Sequence, residues 1–387
     1  IGWTEIVRGE HAVTNAQPSD REYMALALQL AERGLYSTDP NPRVGCVLVK
    51  NGAVIGTGWH KLAGSDHAEI DAIKNAREDV RGATAYVSLE PCSHQGRTGA
   101  CCKALAAAGV SRVVAAMADP FPEVAGKGFE YLRSAGIEVV TPLLEDQARA
   151  LNPGYVKRIE LGLPFVRCKL AMSLDGRTAL ANGDSKWISG DDARRDVQKL
   201  RARSSAIVTG IGTVLADDPS LTIRAGELDV GEVDLALRHQ PVRVVLDPEL
   251  QIAPTARLFQ QPGQTLVVCN DAGADRYAGL CGQGIDIIKL AGADNSIDLV
   301  ELLTLLAGRD CNEVLFETGA TLAGSLIRSG MMDELVIYMA ARLLGNDALP
   351  LARLPEIVSM NDAVDLEFAD VRHIGADIRL TATVRNR

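Results

Sequence analysis

The chain has 387 residues, of which 47% are hydrophobic and 23% charged, and its formal net charge is −10. This composition is that of a globular protein, the length favours two domains, and the negative charge disfavours a nucleic-acid-binding protein. Neither an apolar membrane span nor a signal peptide is recognisable, and the eight cysteines are scattered, so we expect reduced thiols in a cytoplasmic protein without a membrane partner.

The first half of the chain alternates between helical and extended patterns. A helix begins near Asp20, its expected N-cap, and ends at Gly34. The dipeptide Asn51-Gly52 lies between two apolar runs, which predicts a β-hairpin. The hairpin strands are predicted at 43–49 and 53–58, and they are followed by a helix capped by Ser65 or Asp66 and ending at 76, a strand at 83–89, a helix at 101–108, a strand at 110–117, a helix at 126–134 and a strand at 137–140.

The second half begins after a helical run over 145–161 that Asn152-Pro153-Gly154 interrupts. We place the domain boundary here, which predicts domains over 20–162 and 163–387. Strands are predicted at 165–171, 206–209, 242–247, 265–269, 285–290, 313–317 and 334–340, and helices at 191–203, 297–308 and 322–329. Helices that alternate with strands predict a helix-covered sheet in each half, hence an α/β fold of two domains.

Four residues of the first half indicate a catalytic zinc site: His67, Glu69, Cys92 and Cys101. One imidazole and two thiolates form a three-ligand zinc set that leaves the fourth position for water. Glu69 is two residues beyond the imidazole, where it can reach that water without binding the metal. Zinc deaminases of nucleobases use one His, two Cys and a non-ligating Glu in this way, so the sequence predicts a hydrolytic deaminase.

The alternative is a closed, structural zinc site. Such a site needs a fourth protein ligand, for which His94 and Cys102 are candidates, although Cys102 is also interpreted as a core residue. The catalytic interpretation is preferred because a structural site leaves Glu69 without a role. Eight residues separate Cys92 from Cys101, where the usual deaminase pair is Cys-x-x-Cys, so the intervening segment must form a loop.

The strings Asn41-Pro42-Arg43-Val44-Gly45-Cys46, Gly58-Trp59-His60 and Pro91-Cys92-Ser93-His94-Gln95-Gly96-Arg97-Thr98 resemble the deaminase half of the bifunctional riboflavin-biosynthesis deaminase–reductases. The family usually has two prolines before the second cysteine, where this chain has Gly99-Ala100. The resemblance implies a cytidine-deaminase-like α/β/α sandwich with zinc on His67, Cys92 and Cys101 and with Glu69 as the acid–base. It also implies that Asn41 contacts the pyrimidine and that His60, His94 and Arg97 lie near the substrate. The alternatives are a turn residue for Asn41 and a surface histidine at a strand end for His60.

The second half has glycine-containing turns after two predicted strands, at Gly210 and Gly319, but no Gly-x-Gly-x-x-Gly fingerprint. Three of its segments, starting at Lys169, Ser205 and Phe316, are similar to the reductase half of the same family. The resemblance implies a dihydrofolate-reductase-like fold that uses NADPH, with Lys169 and Asp217 placing the sugar and the proton. It implies cofactor contacts from Ala171, Trp187, Thr213, Asp217, Gly319, Ala320, Thr321 and Leu322, and substrate contacts from Ser185, Arg201, Leu221, Arg224 and Glu317.

Two of these residue types have alternatives. Arg201 and Arg224 are suited to clamp a phosphate or ribose, since a guanidinium offers paired donors, but a solvated helix face is the alternative, and we assign Arg194, Arg195, Lys199 and Arg203 to such a face. Asp217 precedes Asp218-Pro219, so a turn or helix-cap role is its alternative.

The sequence therefore predicts a bifunctional enzyme of riboflavin biosynthesis. Its first domain removes the 2-amino group of a phosphoribosylamino-diaminopyrimidine with Zn²⁺, and its second reduces the ribosyl chain to ribityl with NADPH. We expect a phosphorylated small-molecule substrate and a homo-oligomer. The rivals are a deaminase of cytidine, guanine or tRNA adenosine, and a C-terminal module that binds nucleotide without turnover.

Overall fold

The computed structural model describes residues 19–93, 99–270, 276, 285–290, 292 and 296–384. Its first half contains a five-stranded sheet of order β2-β1-β3-β4-β5. The strands are β1 (Gly45–Lys50), β2 (Ala53–Trp59), β3 (Thr84–Val87), β4 (Arg112–Ala115) and β5 (Glu138–Val140). The helices are α1 (Asp20–Glu32), α2 (Ala68–Lys74), α3 (Cys101–Ala107), α4 (Lys127–Ser134), α5 (Glu145–Leu151) and α6 (Pro153–Leu161).

Helices cover both faces of this sheet, and the successive side chains of β1 are buried alternately against one face and the other. Val47 and Val49 point to the face covered by α1, whereas Cys46 and Leu48 point to the face covered by α2, α3 and α4. The predicted hairpin is confirmed: β1 and β2 pair antiparallel, and Asn51 and Gly52 have φ angles of 50° and 76°. The α/β/α sandwich is therefore present.

Two predicted helix caps are wrong. The N-cap of α1 is Ser19, whose backbone N–H donates to the Glu22 carboxylate at 2.5 Å. Asp20 instead accepts from Arg112 at 2.8 Å, so a long-range ion pair takes its side chain. The N-cap of α2 is His67 rather than Ser65 or Asp66, which places a predicted metal ligand at the helix start.

The second half is built on a nine-stranded sheet of order β11-β10-β9-β8-β12-β6-β13-β16-β15. The strands are β6 (Phe165–Ser173), β7 (Arg177–Ala179), β8 (Ala206–Gly210), β9 (Val242–Leu246), β10 (Thr265–Cys269), β11 (Asp286–Lys289), β12 (Glu313–Glu317), β13 (Glu334–Ala340), β14 (Leu349–Pro350), β15 (Leu366–Ile374) and β16 (Asp377–Val384). The helices are α7 (Asp191–Ala202), α8 (Ile211–Asp217), α9 (Val233–Ala236), α10 (Leu299–Gly308) and α11 (Ala320–Arg328).

The seven strands and three helices predicted for this half are all present. Neighbouring strands pair in parallel from one edge of the sheet, β11, through β10, β9, β8, β12 and β6 to β13. The last two strands of the sheet, β16 and β15, pair antiparallel. The sequence did not predict the terminal hairpin of β15 and β16, the short strands β7 and β14, or the helices α8 and α9. The largest apolar core lies between this sheet and the helices α10 and α11.

A buried ionic cluster joins the two halves. Arg43, which precedes β1, donates to Glu313 at 2.6 Å, and the side chain of Glu313 is 1% exposed. Arg167 and Arg203 pair with the other oxygen of Glu313, each at 3.0 Å. Arg203 was predicted on a solvated face, and that prediction is wrong because its guanidinium is drawn to this carboxylate.

Helix α6 belongs by prediction to the first domain, yet it also contacts the second. Lys157 pairs with Asp333 at 2.6 Å, and Arg158 donates to Asn312 at 2.7 Å. The boundary between residues 162 and 163 stays a prediction. Among the described residues, no helix combines the length and apolarity that crossing a membrane requires.

Candidate active sites

The three predicted zinc ligands converge at the start of two helices. His67 is the N-cap of α2 and Cys101 is the first residue of α3, as expected for ligands placed at helix starts, while Cys92 follows β3. The Nδ1 atom of His67 lies 3.5 Å from the Sγ atom of Cys92 and 3.3 Å from that of Cys101. Tetrahedral zinc with usual bond lengths separates N and S ligands by about 3.5 Å. The donor set therefore fits zinc.

The hydrogen bonds around Cys92 favour its thiolate form. Hydrogen bonding from Cys101, then from His67, lowers the pKa of Cys92 to about 4 against the effect of burial. The backbone N–H of Cys101 also donates to the Cys92 sulfur at 3.4 Å. A thiolate, and not a thiol, binds metal, so these contacts prepare Cys92 as a ligand.

Glu69 lies in the first turn of α2 and is 3% exposed. Burial raises the pKa of Glu69 to about 7, and the negative charge of Cys92 acts in the same direction. Its position beside the ligand cluster, with no role as a fourth ligand in the group formed by His67, Cys92 and Cys101, is the one expected of a proton carrier.

Of the two candidates for a fourth protein ligand, Cys102 is the one that the structure describes. Cys102 is 1% exposed and packs in the apolar core with Leu105 and Val113, so the core interpretation of this residue is confirmed. His94 and Arg97 lie outside the described residues. Among the described residues, the potential metal-binding group contains three members.

Asn41, the predicted pyrimidine contact, and His60, predicted near the substrate, lie next to each other. The amide nitrogen of Asn41 lies 3.0 Å from the Nε2 atom of His60, and the His60 ring contacts the His67 ring edge-on with centroids 5.3 Å apart. His60 is 3% exposed, and burial lowers its pKa. The alternative of a surface histidine is therefore wrong for His60.

One residue that organises this site was missed by sequence reasoning. Glu90, two residues before Cys92, is 3% exposed, and its carboxylate accepts four backbone hydrogen bonds. The donors are the N–H groups of Asp119, Gly126, Gly128 and Phe129, at 3.2, 2.9, 2.9 and 3.3 Å. These bonds fix the segment that carries Cys92 to the start of α4. The available signal was an acid between an apolar strand and Pro91-Cys92.

Three of the predicted reductase residues lie on two adjacent parallel strands, in the halves of these strands nearer their carboxyl ends. Lys169 and Ala171 lie on β6, and Glu317 ends β12 directly opposite Lys169. Burial lowers the pKa of Lys169, and Glu317 opposes this effect. Ligands of open α/β sheets bind beyond the carboxyl ends of the strands, so the cluster lies where a substrate is expected.

Arg201 is a buried partner of Glu317, not a residue of a solvated helix face. Its Nε and Nη2 atoms donate to the two Glu317 oxygens at 2.6 and 2.9 Å, and Nη1 donates to the carbonyl of Thr222 at 3.0 Å. Leu221 is buried with φ +51° next to this contact. Arg224, in contrast, is half exposed and pairs with Glu227.

The predicted cofactor residues lie around the same edge of the sheet. Thr213 is in α8, and Asp217 ends α8 and pairs with Lys186 at 3.1 Å. Ser185 and Trp187 flank this lysine, and Arg194 stacks 4.5 Å from the centroid of the exposed Trp187 ring.

Gly319 is the N-cap of α11, and Ala320, Thr321 and Leu322 form the first turn of that helix. A Cβ atom added at Gly319 would meet no atom within 4 Å. The turn before α11 therefore has room for a phosphate group beside the first backbone amides of that helix, as a dinucleotide cofactor requires.

Two family models match the chain. The model described as the cytidine and deoxycytidylate deaminase zinc-binding region covers residues 17–117, and the model described as the RibD C-terminal domain covers residues 164–380. The first match contains His67, Glu69, Cys92 and Cys101, and the second contains every predicted reductase residue.

Characterised relatives match over nearly the whole chain. The riboflavin biosynthesis protein RibD of Escherichia coli is 46% identical over 93% of this chain and 98% of its own, and that of Haemophilus influenzae is 48% identical over 94% and 97%. The solved structure of Acinetobacter baumannii RibD has 42% identity and a TM-score of 0.87, over 95% of this chain and 99% of its own. The Thermotoga maritima diaminohydroxyphosphoribosylaminopyrimidine deaminase/5-amino-6-(5-phosphoribosylamino)uracil reductase has 30% identity and a TM-score of 0.81, with the same coverage.

Proposed function

Since the chain belongs to the RibD family, whose members join a zinc-dependent deaminase to a reductase of riboflavin biosynthesis, we propose that the two residue clusters described above are its two active sites. The first reaction hydrolyses the 2-amino group of 2,5-diamino-6-(5-phosphoribosylamino)pyrimidin-4(3H)-one. The second reduces the ribosyl side chain to ribityl with NADPH. The observation that supports the deaminase assignment best is the convergence of three zinc-ligand atoms beside a buried, non-ligating glutamate.

In the deaminase site, His67, Cys92 and Cys101 would hold a zinc ion. Zinc would make water acidic enough to act as a nucleophile near neutral pH. Glu69 takes one proton from the attacking water and delivers it to a ring nitrogen of the pyrimidine; it then takes the second proton from the hydroxyl of the tetrahedral adduct and delivers it to the amino group, which leaves as ammonia. The burial of Glu69 excludes bulk water from this transfer.

Replacement of the proton carrier tests the deaminase assignment. Glu69→Gln should lower the deamination rate by at least about 10²-fold, the usual contribution of a general acid–base, while the bound zinc is retained. Ammonia release and metal content measure the two quantities. The exposed Glu78→Gln is the matched control and should change neither. Deamination at the wild-type rate in Glu69→Gln would show that the zinc is structural.

In the reductase site, we assign Lys169 and Asp217 to the sugar and the proton. The NADPH contacts are Ala171, Trp187, Thr213, Asp217 and the turn from Gly319 to Leu322. The substrate contacts are Ser185, Arg201, Leu221, Arg224 and Glu317. Bound NADPH supplies the hydride, and the protein supplies orientation and charge. The ammonium group of Lys169, close to the Glu317–Arg201 pair, is suited to donate to the oxygen that gains charge when the sugar carbonyl is reduced.

Removal of that ammonium group tests the second assignment. Lys169→Met should slow NADPH oxidation with the deaminated intermediate by about 10²-fold or more, because a proton donor is lost. Deamination and zinc content should not change, since Lys169 lies in the other half of the molecule. NADPH that binds the wild-type protein but is never oxidised would favour the non-catalytic module instead.

Three further assignments accompany this function. We place the deaminase at 20–162 and the reductase at 163–387; the start of the RibD C-terminal domain model at residue 164 supports this boundary. We also propose a homo-oligomer, because the edge strand β15 presents Phe368 and Val371 with 65% and 59% of their surface exposed. A cytoplasmic location suits the reduced cysteines that the zinc site requires.

A further inference from the structure

The turn over residues 38–41, which precedes β1 in the deaminase half, is bound by side chains of the reductase half. The amide nitrogen of Asn312 donates to the Pro40 carbonyl oxygen at 2.7 Å and to the Asp39 carboxylate at 3.2 Å. The hydroxyl of Ser205 donates to the same carboxylate oxygen at 2.9 Å. Asn312 and Ser205 are 5% and 3% exposed, and both lie in the part of the chain that matches the RibD C-terminal domain model.

The directions of these hydrogen bonds are fixed by the other partners of Asn312 and Ser205. The Nε atom of Arg158 donates to the Asn312 side-chain oxygen at 2.7 Å, and a guanidinium has donors only. Asn312 must therefore present its NH₂ group to the turn. The Ser205 oxygen accepts the backbone N–H groups of Asn312 and Glu313 at 2.8 and 3.2 Å, which leaves its one proton for Asp39. The reductase half thus holds the turn with two preset donors.

The same turn lies beside the deaminase site. The amide nitrogen of Asn41, its last residue, is 3.0 Å from the Nε2 atom of His60. The His60 ring in turn contacts the ring of the metal ligand His67, with centroids 5.3 Å apart. One side chain therefore separates the turn from a metal ligand. Asn41 is half-buried and so keeps contact with solvent, as a residue that borders a substrate site must.

We propose that Asn312 is a positioning residue for deamination, which holds the 38–41 turn at the distance from the metal ligands that substrate binding requires. The inference rests on the proposed deaminase site. Asn312 acts through Asp39 and Pro40 and not by contact with the substrate. Glu313, the next residue, pairs with Arg43 just beyond the turn, so β12 begins with two adjacent side-chain contacts to the deaminase half. The reductase half is therefore part of the structure that determines the KM for deamination.

Asn312→Asp removes the donors of this contact and preserves the size of the side chain. The new carboxylate still accepts from Arg158, but it places an oxygen against the Asp39 carboxylate and the Pro40 carbonyl. The KM for deamination should rise about tenfold, as for the loss of one or two hydrogen bonds, while kcat stays within about threefold of wild type. Zinc content and NADPH oxidation with the deaminated intermediate should not change, because the reductase cluster lies at the other end of β12.

Two further variants show whether the loss passes through the turn. Asp39→Asn, added to Asn312→Asp, removes one of the two facing carboxylates and should lower the KM again by about threefold. Asp310→Asn is the matched control, because it removes a 2.8 Å contact of the same Arg158 without touching the turn. Asp310 has a φ of 63°, a conformation that Asn tolerates. This control should leave both reactions unchanged.

Four results would overturn the proposal. An unchanged KM for deamination in Asn312→Asp, or equal KM values in the single and double variants, would show that the turn does not depend on this contact. A loss of zinc, a loss confined to kcat, or an equal loss in both reactions would show that Asn312 supports the metal, the chemical step or the fold. The same rise of KM in Asp310→Asn would assign the effect to Arg158. All of them leave the deaminase assignment intact, because that assignment depends on Glu69→Gln.

Discussion

Three buried glutamates of this protein have three different environments, and each environment determines a different chemistry. Glu69 lies beside thiols and an imidazole, and burial raises its pKa to about 7; Glu90 is surrounded by backbone N–H groups, and Glu313 is surrounded by guanidinium groups. A buried carboxylate must be neutralised or hydrogen-bonded. The residue type alone therefore does not indicate whether a glutamate transfers protons or supports the structure.

The environment of Glu90 leads to a prediction about zinc. Glu90→Gln replaces an oxygen that accepts two N–H groups with an NH₂ group that repels them. Because the adjacent segment carries Cys92, we expect zinc affinity to fall by about 10- to 100-fold, as for other groups that orient metal ligands. Chelator competition measures the affinity. Glu130→Gln, an exposed acid of α4, should retain wild-type affinity, and equal affinities for both variants would contradict this role.

At the same scale, the sequence predicted the zinc ligands and Glu69 because their chemistry depends on residue type and short spacing. Glu90 could not be predicted in the same way, since its partners are 29 to 39 residues away and are backbone groups with no sequence signature. Arg203 was misplaced for the related reason that its partner, Glu313, is 110 residues away.

At the scale of the elements, the position of the deaminase residues depends on how closely α2 approaches β2. A Cβ atom at Gly58 would lie 2.3 Å from both the Ala68 carbonyl oxygen and the Ala72 nitrogen. The helix rests directly on the strand backbone at this point. Because His67 lies at the start of α2 and Glu69 in its first turn, the glycine determines how close both side chains lie to the sheet.

Gly58→Ala should therefore displace α2. A shift of about 1 Å at catalytic groups costs up to about 10²-fold in rate, so we expect a loss of this order in deamination together with weaker zinc binding. Ammonia release and metal content are the measurements. Gly308→Ala, at a helix end where an added methyl group meets nothing within 4 Å, is the control and should be neutral. Full activity in Gly58→Ala would show that α2 has room to move.

Element prediction succeeded where burial leaves a pattern and failed where it does not. The Asn51-Gly52 turn and the buried parallel strands carry strong local signals. In β15 a bulge between Phe368 and Asp370 interrupts the alternation of apolar and polar residues by which a strand is recognised.

At the scale of the whole molecule, the ionic cluster around Glu313 connects the two enzymes. Burial alone would raise the pKa of Glu313, but the charges of Arg203, Arg43 and Arg167 outweigh it and hold that pKa well below its usual range. A depressed carboxyl pKa contributes stability that is present above the unfolded value of about 4.3 and lost as the pH falls through the folded one.

Glu313→Gln should lower the free energy of unfolding by about 3 kcal/mol at neutral pH, since it leaves buried guanidinium groups without their counter-charge. Urea unfolding measures the change, which should shrink as the pH falls below about 4.3. Arg33 and Glu232 form another pair between the halves, with side chains 51% and 34% exposed, so Glu232→Gln should lower the free energy of unfolding by less than about 1 kcal/mol. Equal losses of unfolding free energy in the two variants would show that the Glu313 cluster stabilises the molecule no more than an exposed ion pair does.

The junction has a consequence for the way the two activities are packaged in one polypeptide. Beside the Glu313 cluster, Tyr36 of the first half packs against Ile223 and Leu228 of the second, so the contact combines fixed charges with an apolar spot. If the chain were divided between the two halves, each half would expose a surface that is complementary to the surface of the other half. Fragments made as separate polypeptides should therefore recognise each other and reassemble in trans without a covalent tether.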